Sequence, residues 1–138
     1  MNNPHFVSGH LNLTKDEFNT HYVDKLLGAV KNNYTILTSD SKGADAMTQQ
    51  FLFDLGYKNV FIYHMFDKPR INIGDFPTVG GAKSDEERDS NMTRDSNVDI
   101  AWVRSEEETK RLLLLEGKKY KPGRISGTEK NILRRKLF

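Results

Sequence analysis

Three short stretches of small and polar residues have the composition to hold an anion: Ser8-Gly9-His10, Ser39-Asp-Ser-Lys-Gly-Ala-Asp45 and Ser126-Gly-Thr-Glu-Lys-Asn131. Small residues let a ligand reach the backbone, and a loop that opens a helix aims free N–H groups at negative charge. Phosphate is the anion such corners suit. In the second corner Ser41, Lys42, Gly43 and Asp45 are the candidate contacts, Lys42 for a phosphate and Asp45 for a ribose hydroxyl or for orienting the loop. Their plainer readings are a solvated lysine and an acid serving the helix dipole. In the third corner Ser126, Gly127 and Thr128 offer hydroxyls and N–H groups, with Asn131 one turn further on. A helix cap alone does not need three small residues in a row. Arg70, after Pro69, can fork onto a phosphate or stand as a surface arginine. Glu87 and Asp89 are the acids considered for catalysis, although carboxylates at a helix start also favour the dipole.

Other patterns lead nowhere. Gly81-Ala-Lys-Ser84 resembles the end of a P-loop but lacks its second Gly and a strand leading in. Asp95-Ser-Asn-Val-Asp99 lacks the Gly and terminal Glu of a calcium loop. The four His have no metal-ligand spacing, so no metal and no cofactor is expected. His10 alone stands in one of the anion corners.

The elements that position these corners read as alternating strands and helices. His5 to Ser8 is a first strand, followed by the capping box Thr14-Lys-Asp-Glu17 and a helix to about Lys31 burying Phe18, Tyr22, Leu26 and Val30. Tyr34 to Thr38 is a second strand, and the helix after it carries Ala44, Met47, Phe51 and Leu55 on one face, ending at Gly56. Asn59 to Tyr63 is a third strand. Residues 64–82 read as a long irregular loop, and Ser84-Asp-Glu-Glu87 opens a helix to about Ser96. Asp99 to Val103 is a fourth strand, Ser105 to Gly117 a helix, Lys118 to Arg124 a basic loop, and Thr128 to Leu137 a last helix.

This alternation predicts a Rossmann-like α/β fold: one domain over residues 1–138, with a parallel sheet of four to five strands and helices on both faces. The expected order of the four visible strands is 3-2-1-4. Ligands in such sheets bind beyond the carboxyl ends of the strands, where the order reverses, and all three corners fall there.

Composition narrows the class. The chain is 36% apolar, with eight Phe and five Tyr, which suits a globular core. No cysteine is present, so a reducing cytoplasm is the natural setting. No apolar run approaches the roughly 18–20 residues of a membrane span. From Arg104 onward eleven Lys/Arg face five Asp/Glu, against ten and fourteen before it. That asymmetry fits a solvated tail or a basic rim for a phosphorylated ligand. Aromatic residues do not interleave with the basic ones, so nucleic acid is the least favoured partner.

Taken in order, Ser8-Gly-His10, Ser39 to Asp45 with Gln50, Lys58 to Tyr63, Pro69-Arg70-x-Asn72, Arg88-Asp-x-x-Met92, Asp99-Ile-Ala-Trp102 and Ser126-Gly-Thr-x-x-Asn131 resemble the SLOG superfamily. That superfamily is named for the DNA-processing protein A and "lonely guy" cytokinin-activating proteins. The resemblance spans residues 5 to 135. It implies a pocket for a nucleotide or nucleotide-derived molecule, adds Arg88 to the contacts, and implies homodimers or larger homo-oligomers. Some members cleave N-glycosidic bonds of nucleoside monophosphates. Others only bind, among them sensors of ADP-ribose-type signals, so a sponge or sensor in phage–host conflict is a further reading. The "lonely guy" corner carries a catalytic Glu two residues after its Thr. Here that position is Lys130, expected to repel a developing cation, and the acid is Glu129. Binding is therefore expected over turnover.

Overall fold

Alternation along each strand sends neighbouring side chains to opposite faces of the sheet. In the computed structural model, which describes residues 1–137, Val7, Ile36, Val60, Ile62 and Ile100 join one core while Phe6, Leu37 and Tyr63 join another. The strands are β1 (His5–Val7), β2 (Ile36–Ser39), β3 (Val60–Met65), β4 (Thr78–Ala82) and β5 (Val98–Ile100). All pair in parallel, in the order β4-β3-β2-β1-β5. The first core is completed by α1 (Lys15–His21), α2 (Val23–Lys31) and α3 (Ala44–Asp54). The second is covered by α4 (Asp85–Asp95), which supplies Met92 and packs against α6 (Gly127–Lys136). Between β5 and α6 lies α5 (Glu106–Leu115). The expected order of four strands holds, with β4 added at the edge. No helix among the described residues is long and apolar enough to cross a membrane.

Three differences from the sequence reading have physical causes. The first helix is divided at Tyr22, whose φ of −120° departs from the usual helical value of about −63°. The buried Tyr22 hydroxyl donates to Ser8 O at 2.8 Å and accepts from Trp102 N–H at 3.2 Å, so the ring is pinned where β1 ends. Beyond the break α2 buries Leu26 and Ala29, leaving Val30 half-buried. Helix α3 buries Ala44, Asp45, Thr48, Gln49 and Leu52, while Leu55 is 48% exposed. Met47 and Phe51 of the expected face pack, partly buried, against the first core, and among the buried polar residues Gln49 serves backbone groups nearby.

The third difference is β4. Pro77 and the Gly80-Gly81 pair disguise it as loop, and as an edge strand it needs pairing on one side only. The preceding loop, residues 66–77, is sewn down by side chains. Gln49 donates to Ile71 O at 3.1 Å and accepts from Ile73 N–H at 2.8 Å; Asn72 exchanges bonds of 2.9 Å with both backbone groups of Phe76. Helix α5 buries none of its residues, leaving Leu114 and Leu115 79% and 70% exposed.

Candidate functional site

The first two anion corners are locked together by close packing. A Cβ on Gly9 would lie 2.4 Å from Ala44 Cβ and from the Tyr22 hydroxyl, so only glycine lets the end of β1 touch the start of α3. Gly43 adopts φ +77°, and a Cβ there would lie 2.4 Å from Leu11 O. Ala44 N–H then donates to His10 O at 3.1 Å. The third corner arrives with α6, which is held by Arg135. That guanidinium donates to Thr93 O at 3.1 Å and Ser96 O at 2.7 Å and pairs with Asp99 at 2.8 Å.

Between the corners lies a cleft of about 1020 Å³ beyond the carboxyl ends of β1, β2 and β5. Ser8, Gly9 and His10 line it from the first corner, and Ser41, Lys42 and Asp45 from the second. Ser126, Gly127, Thr128 and Asn131 line it from the third, and Arg70, Arg88 and Asp89 complete the expected set. Two expected residues, Gly43 and Glu87, do not line it. Gly43 lies beneath the cleft, against the Leu11 and His10 carbonyls, as the hinge of its corner. Glu87 is turned to the start of α4, where its carboxylate accepts from Lys83 N–H at 3.3 Å and its N–H donates to Ser84 Oγ.

Asp45 is the most unusual side chain of the site. It is 93% buried, since 7% of it is exposed. Its Oδ2 accepts a hydrogen bond from Ser39 Oγ, while Oδ1 has no partner among the described residues. Burial pushes its pKa up to about 7; the Asp89 charge adds to this, and the Ser39 hydrogen bond and Arg88 oppose it. Asp89 is raised by burial as well, against the pull of Arg88 and of Asn131, whose amide donates to it at 3.3 Å.

Asp40, which the sequence did not single out, is the hub of the floor. Its Oδ2 accepts from Arg70 N–H at 2.8 Å and Nε at 3.0 Å; its Oδ1 accepts from Arg70 Nη2 at 3.0 Å and Arg88 Nη1 at 3.3 Å. Burial alone would raise its pKa, but the Arg70 bonds and the two guanidinium charges hold it below the usual value. The fork of Arg70, expected on a phosphate, thus closes on Asp40. The buried Arg88 also bonds Asp85 at 2.7 Å and Asp89 at 3.0 Å.

Arg104, like Asp40, has partners that lie far off in sequence. It is buried and bonded to Glu17 at 2.6 and 2.8 Å and to Asn12 at 3.0 Å. Those bonds, with help from Thr14, bring the Glu17 pKa down to about 2 against its burial. Arg104 N–H donates to His10 Nε2 at 2.9 Å, which assigns the ring proton to Nδ1. Burial and then the Arg104 charge lower the His10 pKa, so His10 enters the site neutral.

On α6 the Ser126 hydroxyl caps Glu129 N–H at 3.1 Å, and the first-turn N–H groups of Gly127 and Thr128 have no helical acceptor. Glu129 lines the cleft, whereas Lys130 does not. Gln49, not Gln50, does the bonding that ties α3 to the floor: it donates to Ser39 O at 3.1 Å, while Gln50 bonds exposed Asp54. Chemically, the cleft presents a buried carboxyl with a free oxygen, free N–H groups, a neutral imidazole and unpaired cations. Among protein-family models, curated protein sequences and solved structures, none matches this chain.

Proposed function

We propose that the cleft binds a nucleotide or nucleotide-derived small molecule, with a phosphate at the first turn of α6 and a ribose hydroxyl at Asp45. The observation that carries this reading is that Asp45, whose buried Oδ1 has no partner among the described residues, lines the same cleft as Gly127 and Thr128 with their free N–H groups. A buried acceptor without a donor is costly, and a ligand hydroxyl removes that cost. The sequence resemblance to the SLOG superfamily points the same way. Calorimetry with AMP, ADP-ribose and a cyclic nucleotide should show at least one binding far more tightly than ribose. Phosphate removal that leaves every affinity unchanged would sink the assignment.

A second reading, hydrolysis of a nucleoside 5′-monophosphate, draws support from Asp45 and Asp89, two acids with raised pKa in one cleft. Leaving-base protonation by one carboxyl and water activation by the other would require both. Incubation with nucleoside monophosphates separates the readings. Free base released by the wild type and abolished in Asp89→Asn promotes the enzyme; tight binding without release leaves a sponge or sensor. Self-association belongs to the same proposal, through the exposed Leu114 and Leu115 of α5. A sedimenting species of 15.9 kDa at high concentration would remove it.

A further inference from the structure

The cations around the cleft fall into two kinds. Arg70, Arg88 and Arg104 are each bonded to carboxylates. Lys119, Lys121 and Arg124 also line the cleft, and their side chains have no hydrogen-bond or ion-pair partner among the described residues. Three like charges within six residues repel one another, and no carboxylate among the described residues pairs with any of them directly.

The segment is nevertheless held in place. Tyr120 donates its hydroxyl to the Glu106 carboxylate, and Lys110 Nζ lies 4.8 Å from the Tyr120 ring centroid. Lys118 N–H donates to Leu113 O at 2.8 Å. Asn12 donates to Glu116 at 3.2 Å, which ties the end of α5 to the turn after β1. At its far end the segment runs into the Ser126 cap of α6. The cations thus line the same cleft as Gly127 and Thr128, whose first-turn N–H groups are free. At about 1020 Å³ the cleft lies at the upper end of the roughly 300–1,000 Å³ range of small-molecule sites, which leaves room beyond one nucleoside monophosphate.

We infer that Lys119, Lys121 and Arg124 form a second anion subsite, so that the ligand carries two phosphates, as a nucleoside diphosphate or a pyrophosphate-linked nucleotide does. The inference rests on the proposed first phosphate at α6. A diphosphate spans from the helix N-terminus to the basic segment and neutralises charge that the fold leaves unpaired.

The test is calorimetry of the full chain with AMP, ADP, phosphate and pyrophosphate, on the wild type and on the triple variant K119A/K121A/R124A. The wild type should bind ADP at least about tenfold more tightly than AMP, the effect of one or two charge-assisted hydrogen bonds. The triple variant should lose that preference, and its pyrophosphate affinity should fall by a similar factor. AMP affinity should stay within about twofold, because the first phosphate site is intact. Unchanged thermal unfolding separates lost contacts from lost folding. Equal ADP and AMP affinity in the wild type, or an ADP preference that survives the triple substitution, overturns the subsite. So does a single-stranded oligonucleotide that binds more tightly than ADP and weakens in the same variant. Pyrophosphate binding that the variant weakens, with no nucleotide bound, keeps the subsite and removes the nucleotide reading. If no anion binds at all, both fall.

Discussion

The floor and the basic edge of the cleft handle charge in opposite ways. On the floor, Asp40 takes Arg70 and Arg88, and Arg88 also takes Asp85 and Asp89, so each guanidinium is bonded before any ligand arrives. At the edge, Lys119, Lys121 and Arg124 are unpaired among the described residues. The difference teaches that an arginine near a candidate phosphate site is not by that fact a phosphate ligand. Removing a buried partner leaves an uncompensated charge in a poor solvent, whereas removing an exposed one exposes little new.

The comparison breaks most sharply at Arg88. Arg88→Ala leaves Asp40 and Asp89 without their buried counter-charge, and a loss of about 3–5 kcal/mol is expected in urea unfolding. A loss under about 1 kcal/mol would mean that the network does not hold the floor together.

Asp45 sharpens the comparison from the other side, because it is buried without a cation of its own. Its folded pKa of about 7 lies above the unfolded carboxylate value of roughly 4, so between these pH values the folded state binds more protons. Stability contributed this way is present below pH ~4 and is lost as pH rises through about 7. Glu17 acts with the opposite sign, losing its contribution as pH falls from 4.5 to about 2. Asp45→Asn cannot ionise, so thermal unfolding should show it gaining on the wild type by on the order of a few kcal/mol between pH 5 and pH 8. Parallel pH profiles for the two proteins would refute the buried acid.

Gly127→Val tests whether α6 belongs to the binding edge or only to the scaffold. A Cβ at Gly127 would meet nothing within 4 Å, so the fold should tolerate valine to within about 1 kcal/mol. Affinity for the tightest nucleotide should fall by at least about tenfold, as the branched side chain blocks approach to the N–H groups. A large drop in melting temperature with normal affinity would return Gly127 to a purely structural role.

The smallest effect is expected at Arg70. Its side chain is 50% exposed and Asp40 keeps Arg88, so Arg70→Ala should cost no more than about 1 kcal/mol in unfolding. A cost equal to that of Arg88→Ala would erase the distinction between buried and exposed members of one network.

How far the site was legible depends on the range of the interactions. The capping box of Thr14 and Glu17 is local, and both its bonds form as the spacing implies. Ser84 and Ser126 cap their helices for the same reason. Asp40, by contrast, reads as one more polar residue in a loop, because its partners stand 30 and 48 residues away. Arg104 reads as the start of a basic tail, although it is bonded to Glu17 87 residues earlier. Gln49 and Gln50 are indistinguishable in a helix pattern until the loop of residues 66–77 is in place.

What the sequence determined by itself was therefore set by period and by local chemistry: alternating strands and helices, their parallel order, the helix starts, and the three small-residue corners. These follow from backbone geometry and from side chains within one helical turn of their partners. The tertiary structure alone decided that β4 is a strand, since an edge carrying two glycines is stabilised by β3 and not by its own propensity. It alone decided that Arg70 closes on Asp40, that Glu87 faces out, and that Asp45 keeps a buried oxygen free. Burial and long-range pairing set the charge state of each of these groups, and neither exists until the chain has folded.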